Sequence, residues 1–168
     1  MVKTSDRRSV PHSKSRVTLG FTLVELLAVL AIVGIITAVI VAFSADSYRK
    51  TQLRDGAVQL VADLNRARAQ AQRNSTDSVV TLSGTVGSPD ASYTTAWAGG
   101  AAVTRSLPAP VRVAPVSSDF REATYRAPYG EVNLLGVIWE VSSASTSAKL
   151  YVKAVGVTGK VMLSATQD

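Results

Sequence analysis

The 168-residue sequence contains no cysteine and a single histidine, His12. Without cysteine the chain has no disulfide framework, no thiolate metal site and no cysteine nucleophile. One histidine excludes the usual zinc sites and leaves only His12 for a Ser-His-Asp arrangement. Only 18% of the residues are charged and 46% are hydrophobic, and both values rule out wholesale disorder. The length fits one domain with an appendage.

Catalytic and cofactor-binding patterns are also missing from the sequence. It has no phosphate-binding glycine loop, no cluster of histidine and carboxylate residues, and no carboxylate pair at a catalytic spacing. The carboxylates Asp119, Glu122, Glu131 and Glu140 are scattered, and we expect them to be solvated. We therefore predict a protein that is not an enzyme, with no catalytic residues, no metal and no cofactor.

The positive charge is concentrated at the N-terminus. The formal net charge is +6, and residues 1–20 hold five basic side chains against one acidic one, a net of +4. This stretch has no apolar periodicity and contains Pro11. We interpret residues 1–20 as a leader outside the fold. The high net charge is therefore weak evidence for a nucleic-acid partner.

Residues 21–43 form a long apolar run in which Glu25 is the only ionisable side chain. As a helix, this run spans about 34 Å, which is enough to cross a hydrocarbon core of about 30 Å. Because the more basic flank precedes the run, the positive-inside rule predicts a single pass with the N-terminus in the cytoplasm and the rest outside it.

A second pattern predicts that this helix continues to about Arg73. One apolar stripe recurs at spacings of three and four, formed by Leu53, Ala57, Leu60, Leu64, Ala67 and Ala71. The opposite face is polar, with Arg54, Asp55, Asp63, Arg66 and Arg73. Gly56 weakens the helix only mildly, and the run 74–76 predicts its end. Residues 44–76 are thus predicted to form an amphipathic helix that packs on a soluble domain.

Residues 77–168 change to a strand pattern. Segments rich in Val, Leu, Tyr, Trp and Thr alternate with Gly, Pro and Ser clusters, at 78–83, 92–97, 111–116, 132–141, 148–155 and 160–165. The four residues 156–159 predict a hairpin turn, and 98–118 is predicted to be loop with at most a short strand. The fold class is α+β, with a long N-terminal helix packed on a small antiparallel β-sheet domain. Trp97 and Trp139 are expected in the core.

The junction between leader and apolar run carries the most specific motif, Gly20-Phe21-Thr22-Leu23-Val24-Glu25. A glutamate in a membrane segment costs about 2.5–3.5 kcal/mol on insertion scales, so it needs a partner. The apolar run holds no basic residue, and the partner is therefore expected on another subunit. This motif resembles the type IV pilin superfamily, which includes the pseudopilins of type II secretion.

The resemblance implies a processing step and an assembly step. A prepilin peptidase would cut between Gly20 and Phe21 and methylate the new N-terminus. Glu25 would then pair with the terminal amine of a neighbouring pilin or pseudopilin. The implied partners are that peptidase, other pilins or pseudopilins and an inner-membrane assembly platform. The implied location is the inner membrane, with the C-terminal domain in the periplasm and the chain in a filament after assembly.

Two alternatives remain for the N-terminal segment. Residues 1–44 could be an ordinary secretory signal cut after Ala42-Phe43-Ser44, a small-x-small site. Against this, the apolar run is too long for a signal and begins with a glutamate. The other alternative is a plain single-pass anchor.

Further motifs resemble one branch of the superfamily, the H-type minor pseudopilins and FimT-like minor pilins. Residues 57–73 resemble their helical signature "L…L..AR.EA..R", with Gln70 near the usual acidic position. Residues 127–130 resemble a strand end "F-x-P-x-G", and 159–161 a closing "G-R-V". The absence of cysteine and of an aspartate-rich C-terminal loop argues against a typical major subunit.

FimT-like pilins are associated with DNA uptake, which makes DNA binding the alternative function. The candidate contacts with partner subunits or DNA are Arg66, Arg68, Arg73, Arg105, Arg112, Arg121 and Arg126. The simpler interpretation of the helical arginines is a solvated helix face. Residues 77–168 hold seven basic and seven acidic side chains, a balance that weakens the DNA hypothesis.

Overall fold

A computed structural model describes residues 21–132 and 136–167, except for the side chains of residues 42 and 43. The predicted leader, with Gly20 and His12, lies outside the described residues. The chain divides into two compact units with the boundary after Ile40.

Helix α1 runs from Leu23 to Asn74, within two residues of the predicted ends. Its C-terminus is set by Ser75, whose φ of 50° places it in the left-handed region that commonly terminates helices. The predicted stop at residues 74–76 is confirmed. In the second unit, all six residues of the predicted apolar stripe are buried.

Within the described residues, eight antiparallel strands follow the helix. They are β1 Ser78–Leu82, β2 Ser92–Trp97, β3 Val103–Ser106, β4 Val111–Pro115, β5 Glu122–Tyr125, β6 Val137–Ser143, β7 Thr146–Ala154 and β8 Val161–Ser164, with a short 3-10 turn at Ser118–Phe120. They form two four-stranded sheets, in the orders β3-β2-β1-β5 and β4-β6-β7-β8. The α+β class is confirmed, and the division into two sheets is new.

Six of these strands match the predicted segments, and two were not predicted. The segment predicted at 132–141 begins only at Val137, with residues 133–135 outside the described part of the chain. β3 occupies the region predicted to be loop with at most a short strand, and β5 was not predicted at all. The hairpin between β7 and β8 is confirmed, and Val155 donates its N–H to the carbonyl of Lys160 across the turn.

The core of the second unit lies between the stripe of α1 and the inward faces of the strands. Trp139, Tyr93 and Tyr125 are its largest buried side chains. The two sheets are joined where Asp90 and Val113 exchange backbone hydrogen bonds of 3.1 and 2.8 Å. Trp139 lies in the core, as predicted. Its indole N–H donates to the carbonyl of Phe120.

Candidate functional site

The start of helix α1 is capped by Thr22. Its hydroxyl accepts a hydrogen bond of 3.2 Å from the backbone N–H of Glu25, and its carbonyl accepts the N–H of Leu26. A threonine followed by glutamate three residues later is a capping box, which stabilises a helix N-terminus. The carboxylate of Glu25 also lies in the first turn, where the helix dipole favours negative charge. Thr22 and Glu25 of the motif thus stabilise the N-terminus of helix α1. The sequence alone did not lead us to predict this role, although the Thr-x-x-Glu spacing was visible in it.

The first unit leaves its apolar side chains uncovered. Phe21 is 80% exposed, and every described side chain from residue 22 to residue 41 is exposed as well. Among the described residues, α1 is the one helix long and apolar enough to cross a membrane, with a mean hydropathy of 3.1 over its most apolar stretch. An exposed apolar surface of this kind is typical of a membrane or protein interaction site.

Comparison with known families matches the same segment. The model described as the prokaryotic N-terminal methylation motif matches residues 16–41, which include Gly20, Phe21 and Glu25. The N-terminal segment is therefore similar to that of type IV pilin-like proteins. The motif implies processing by a prepilin peptidase and assembly with other pilins, and the apolar helix is consistent with a single-pass membrane anchor. Comparisons with curated proteins and with solved structures gave no match.

In the second unit, Asp63 is buried. The sequence pattern predicted it on the polar face of helix α1, but its side chain is only 3% exposed, so that prediction is wrong. The Tyr93 hydroxyl donates to its Oδ2 at 2.5 Å, Arg66 pairs with its Oδ1 at 2.5 Å, and the Nε of Arg105 lies 3.6 Å from Oδ2. Asp63 follows Leu60 by three residues and precedes Ala67 by four, so it borders the apolar stripe. That spacing was the available signal.

The pairs around Asp63 bring together two candidate arginines that are 39 positions apart. The side chains of Arg66 and Arg105 remain 67% and 43% exposed. They line a cleft of about 150 Å³ whose wall includes Trp97. Trp97 is only half-buried, so its predicted place in the core is wrong. A hollow of about 220 Å³ on the same helix is lined by Arg66, Gln70 and Arg73. We call Arg66, Arg73 and Arg105 the arginine surface.

Arg68 has a different environment from the other helical arginines. It is half-buried, and its Nε is enclosed without a hydrogen-bond partner. A Cβ on Gly130 would lie 2.9 Å from its Cγ, and one on Gly159 would lie 3.2 Å from its Nε. The three segments that carry the H-type resemblance therefore meet at Arg68. The interpretation of Arg68 as solvated helix face is wrong.

The remaining candidate arginines do not share one surface. Arg112 is on β4 of the second sheet, where it lies 3.5 Å from the carbonyl of Pro89. Arg121 precedes β5 and donates to the carbonyl of Leu82 at 3.1 Å, and Arg126 follows β5. Arg105 lies on β3, at the opposite edge of that sheet from β5. The four arginines between 105 and 126 are therefore dispersed.

Proposed function

We propose that this chain is a minor pseudopilin or minor pilin of the H-type or FimT-like branch. It is processed between Gly20 and Phe21, and it then assembles into a secretion pseudopilus or a type IV pilus. The match of the methylation motif to residues 16–41 carries the proposal. The uncovered apolar surface supports it, because subunit assembly buries such a surface.

The processing step is tested on the chain extracted from membranes. We expect N-terminal sequencing to start at an N-methylated Phe21, with residues 1–20 removed. Gly20→Val should leave the full leader in place, whereas the matched change Gly34→Val should not. A start at Ala45 would support the secretory-signal alternative, and any start other than methylated Phe21 would contradict the proposal.

Glu25 is the residue we assign to assembly. Its carboxylate lies in the first turn of α1 and is exposed, so a neighbour's terminal amine can reach it. A charge pair in an apolar environment stabilises both groups, and losing one partner leaves the other unpaired. We expect Glu25→Ala to be processed normally but to be lost from the sheared filament fraction. Glu131→Ala, at an exposed loop position, serves as the control.

The convergence at Arg68 supports the assignment to the minor branch. Glycines at 130 and 159 allow the chain to approach the arginine, since both have φ above 60° and no room for a Cβ. A deletion strain separates the two filament types. Loss of protein export indicates a pseudopilus, and loss of surface pili with normal export indicates a pilus.

DNA binding is a second candidate, which the arginine surface favours. Arg66 and Arg105 line a cleft together with the half-buried Trp97, and Arg73 shares the neighbouring hollow with Arg66. If three phosphates are contacted, log K should fall with log salt at a slope of about −2.7. Arg66→Gln, Arg73→Gln and Arg105→Gln together should abolish this salt-sensitive binding. The substitution of Arg112, Arg121 and Arg126 by glutamine is the charge-matched control. Binding that does not respond to the salt concentration would exclude DNA binding as a function.

A further inference from the structure

One groove of the second unit is lined by the start of its helical part and by the hairpin β7–β8. Its volume is about 450 Å³, and its apolar lining comes from Leu53, Leu150 and Leu163 together with two alanines. Leu53 is buried beneath it, while Leu163 on the edge strand β8 is exposed. This groove is not used in the proposed processing or assembly steps.

Three cations line the same groove, and no carboxylate is among its lining residues. They are Lys50, Arg54 and Lys149, and we call the whole feature the basic groove. Lys50 pairs with Asp46 at 2.8 Å and Lys149 pairs with Glu140 at 2.9 Å. Both lysines and Asp46 are exposed and Glu140 is half-buried, and pairs with an exposed ammonium are weak enough for an anionic ligand to compete for it.

Lys149 keeps its positive charge at neutral pH. The hydrogen bond from Lys149 to Glu140 raises the pKa of the lysine above its ordinary value. Among the described residues, no ion pair or hydrogen bond is seen for the side chain of Arg54. The groove therefore offers one uncommitted guanidinium and two ammonium groups to an anion.

The position of the basic groove along α1 indicates its ligand. Lys50 follows the end of the apolar run at Phe43 by seven residues, about 10 Å of helix. Side chains on a helix lean toward its N-terminus, so Lys50 and Arg54 lean back toward the apolar run. In a membrane-anchored chain Lys50 and Arg54 thus follow the apolar run by only seven and eleven residues, and basic residues next to a membrane segment are attracted to anionic headgroups.

We propose that the basic groove holds the headgroup of an anionic phospholipid while the subunit waits in the membrane for assembly. The three cations would contact the phosphate, and the leucine lining would contact the glycerol and the first acyl carbons. This inference rests on the single-pass anchor of the proposed function. It adds a lipid-binding site, from which the lipid is released when the subunit leaves the membrane for the filament.

The test measures which lipid the full chain retains. The chain, purified in neutral detergent, is incubated with equimolar phosphatidylglycerol and phosphatidylethanolamine, repurified, and its bound lipids are quantified by mass spectrometry. We expect enrichment of phosphatidylglycerol. The triple variant Lys50→Gln, Arg54→Gln, Lys149→Gln should lose it about tenfold, since a cation near the headgroups contributes up to about fivefold and two of the three are already paired.

The control variant removes the same charge elsewhere. Arg112→Gln, Arg126→Gln and Lys160→Gln change three exposed residues outside the groove and outside the arginine surface, and enrichment should stay at the wild-type level. Arg54→Gln alone should give an intermediate loss. Equal enrichment in the groove variant and the wild type would overturn the proposal, as would an equal loss in the control.

Two further outcomes distinguish a lipid headgroup from a free anion and from an acidic protein surface. If soluble glycerol phosphate displaces the lipid at equal concentration, the groove is a free-anion site and the lipid assignment is wrong. If the groove variant keeps its lipid but no longer co-purifies with partner pilins, the occupant is an acidic protein surface. Release of the chain from membranes by alkaline carbonate would instead contradict the anchor itself and thus the proposed function.

Discussion

The carboxylate of Asp63 is buried at the border of the apolar stripe of helix α1. A buried charge is tolerated only when it is paired and hydrogen-bonded. Here the hydroxyl of Tyr93 and the two guanidinium groups of Arg66 and Arg105 supply those partners. The cluster therefore connects helix α1 to strands β2 and β3, and it also positions two arginines of the arginine surface.

Replacing Asp63 by alanine should destabilise the fold by about 2–4 kcal/mol, because the Tyr93 hydroxyl loses its partner and two arginines lose their counter-charge. Asp63→Asn should cost less, since the amide oxygen still accepts a hydrogen bond. Thermal unfolding of the detergent-solubilised chain measures both. Asp55→Asn, on the exposed side of the same helix, should change the midpoint little; an equally small effect of Asp63→Ala would contradict the assigned role.

At the scale of elements, helix α1 packs against strand β4 at Gly56. A Cβ added there would lie 2.8 Å from Cγ1 of Val111, a distance that real contacts do not reach. From the sequence, Gly56 was expected only to lower the stability of the helix slightly. In the structure Gly56 is buried against Val111, and the absence of a side chain lets helix α1 pack on the second sheet.

Gly56→Ala should therefore destabilise the chain by about 1 kcal/mol. Overpacking costs about 1–3 kcal/mol and exceeds the gain of about 1 kcal/mol in helix propensity. In a Val111→Ala background the contacts with Cγ1 and Cγ2 are gone and the contact with the Cβ of residue 111, at 3.1 Å, remains, so the same change should be less destabilising. Denaturant unfolding of the four chains gives the coupling energy, and an equal cost in both backgrounds would show that the Val111 methyl groups are not the obstacle.

Strands β3 and β5 show why element prediction was incomplete. β3, Val103–Ser106, is exposed along its whole length, and β5, Glu122–Tyr125, has only four residues. Neither offers enough alternating apolar residues for a period-two signal. Both become strands because they pair with neighbours already in place, β3 with β2 and β5 with β1.

At the scale of the whole molecule, the net charge changes with processing. The full chain carries +6, whereas the chain from Phe21 holds 13 basic and 11 acidic side chains, a net of +2. Isoelectric focusing of membrane-extracted protein should therefore show the processed form at a lower isoelectric point than Gly20→Val. Identical focusing positions would contradict removal of the leader at Gly20.

Stability should also fall at alkaline pH. Burial raises the pKa of both Tyr93 and Tyr125, and the hydrogen bond to Asp63 adds to the shift at Tyr93. Above about pH 10 the unfolded chain loses these protons while the folded chain keeps them, so stability decreases by up to about 1.4 kcal/mol per pH unit for each tyrosine. Below that pH the contribution is fully present.

The alkaline prediction is tested by the pH dependence of the unfolding midpoint. Tyr93→Phe should flatten the decrease above about pH 10, although it lowers stability at every pH by removing the bond to Asp63. Tyr129→Phe, at an exposed position, should leave the slope unchanged. A slope insensitive to Tyr93 would contradict its buried protonated state.

The sequence by itself determined the features that depend on neighbours along the chain. The extent of α1, its apolar stripe, six strands, the β7–β8 hairpin and the methylation motif all follow from local periodicity and short motifs, which report on the chain without its tertiary context. The same local patterns could not separate Arg68 from Arg66 and Arg73, because the three lie on one helix with similar neighbours.

Only the tertiary structure decided which distant residues meet. It buried Asp63 beside Tyr93, enclosed Arg68 under Gly130 and Gly159, half-exposed Trp97 and divided the strands into two sheets. These outcomes depend on the packing of residues tens of positions apart, and packing is set by shape and by the satisfaction of buried polar groups. Sequence spacing placed Asp63 at the border of the apolar stripe, but it carries no information about which residues of other elements it meets.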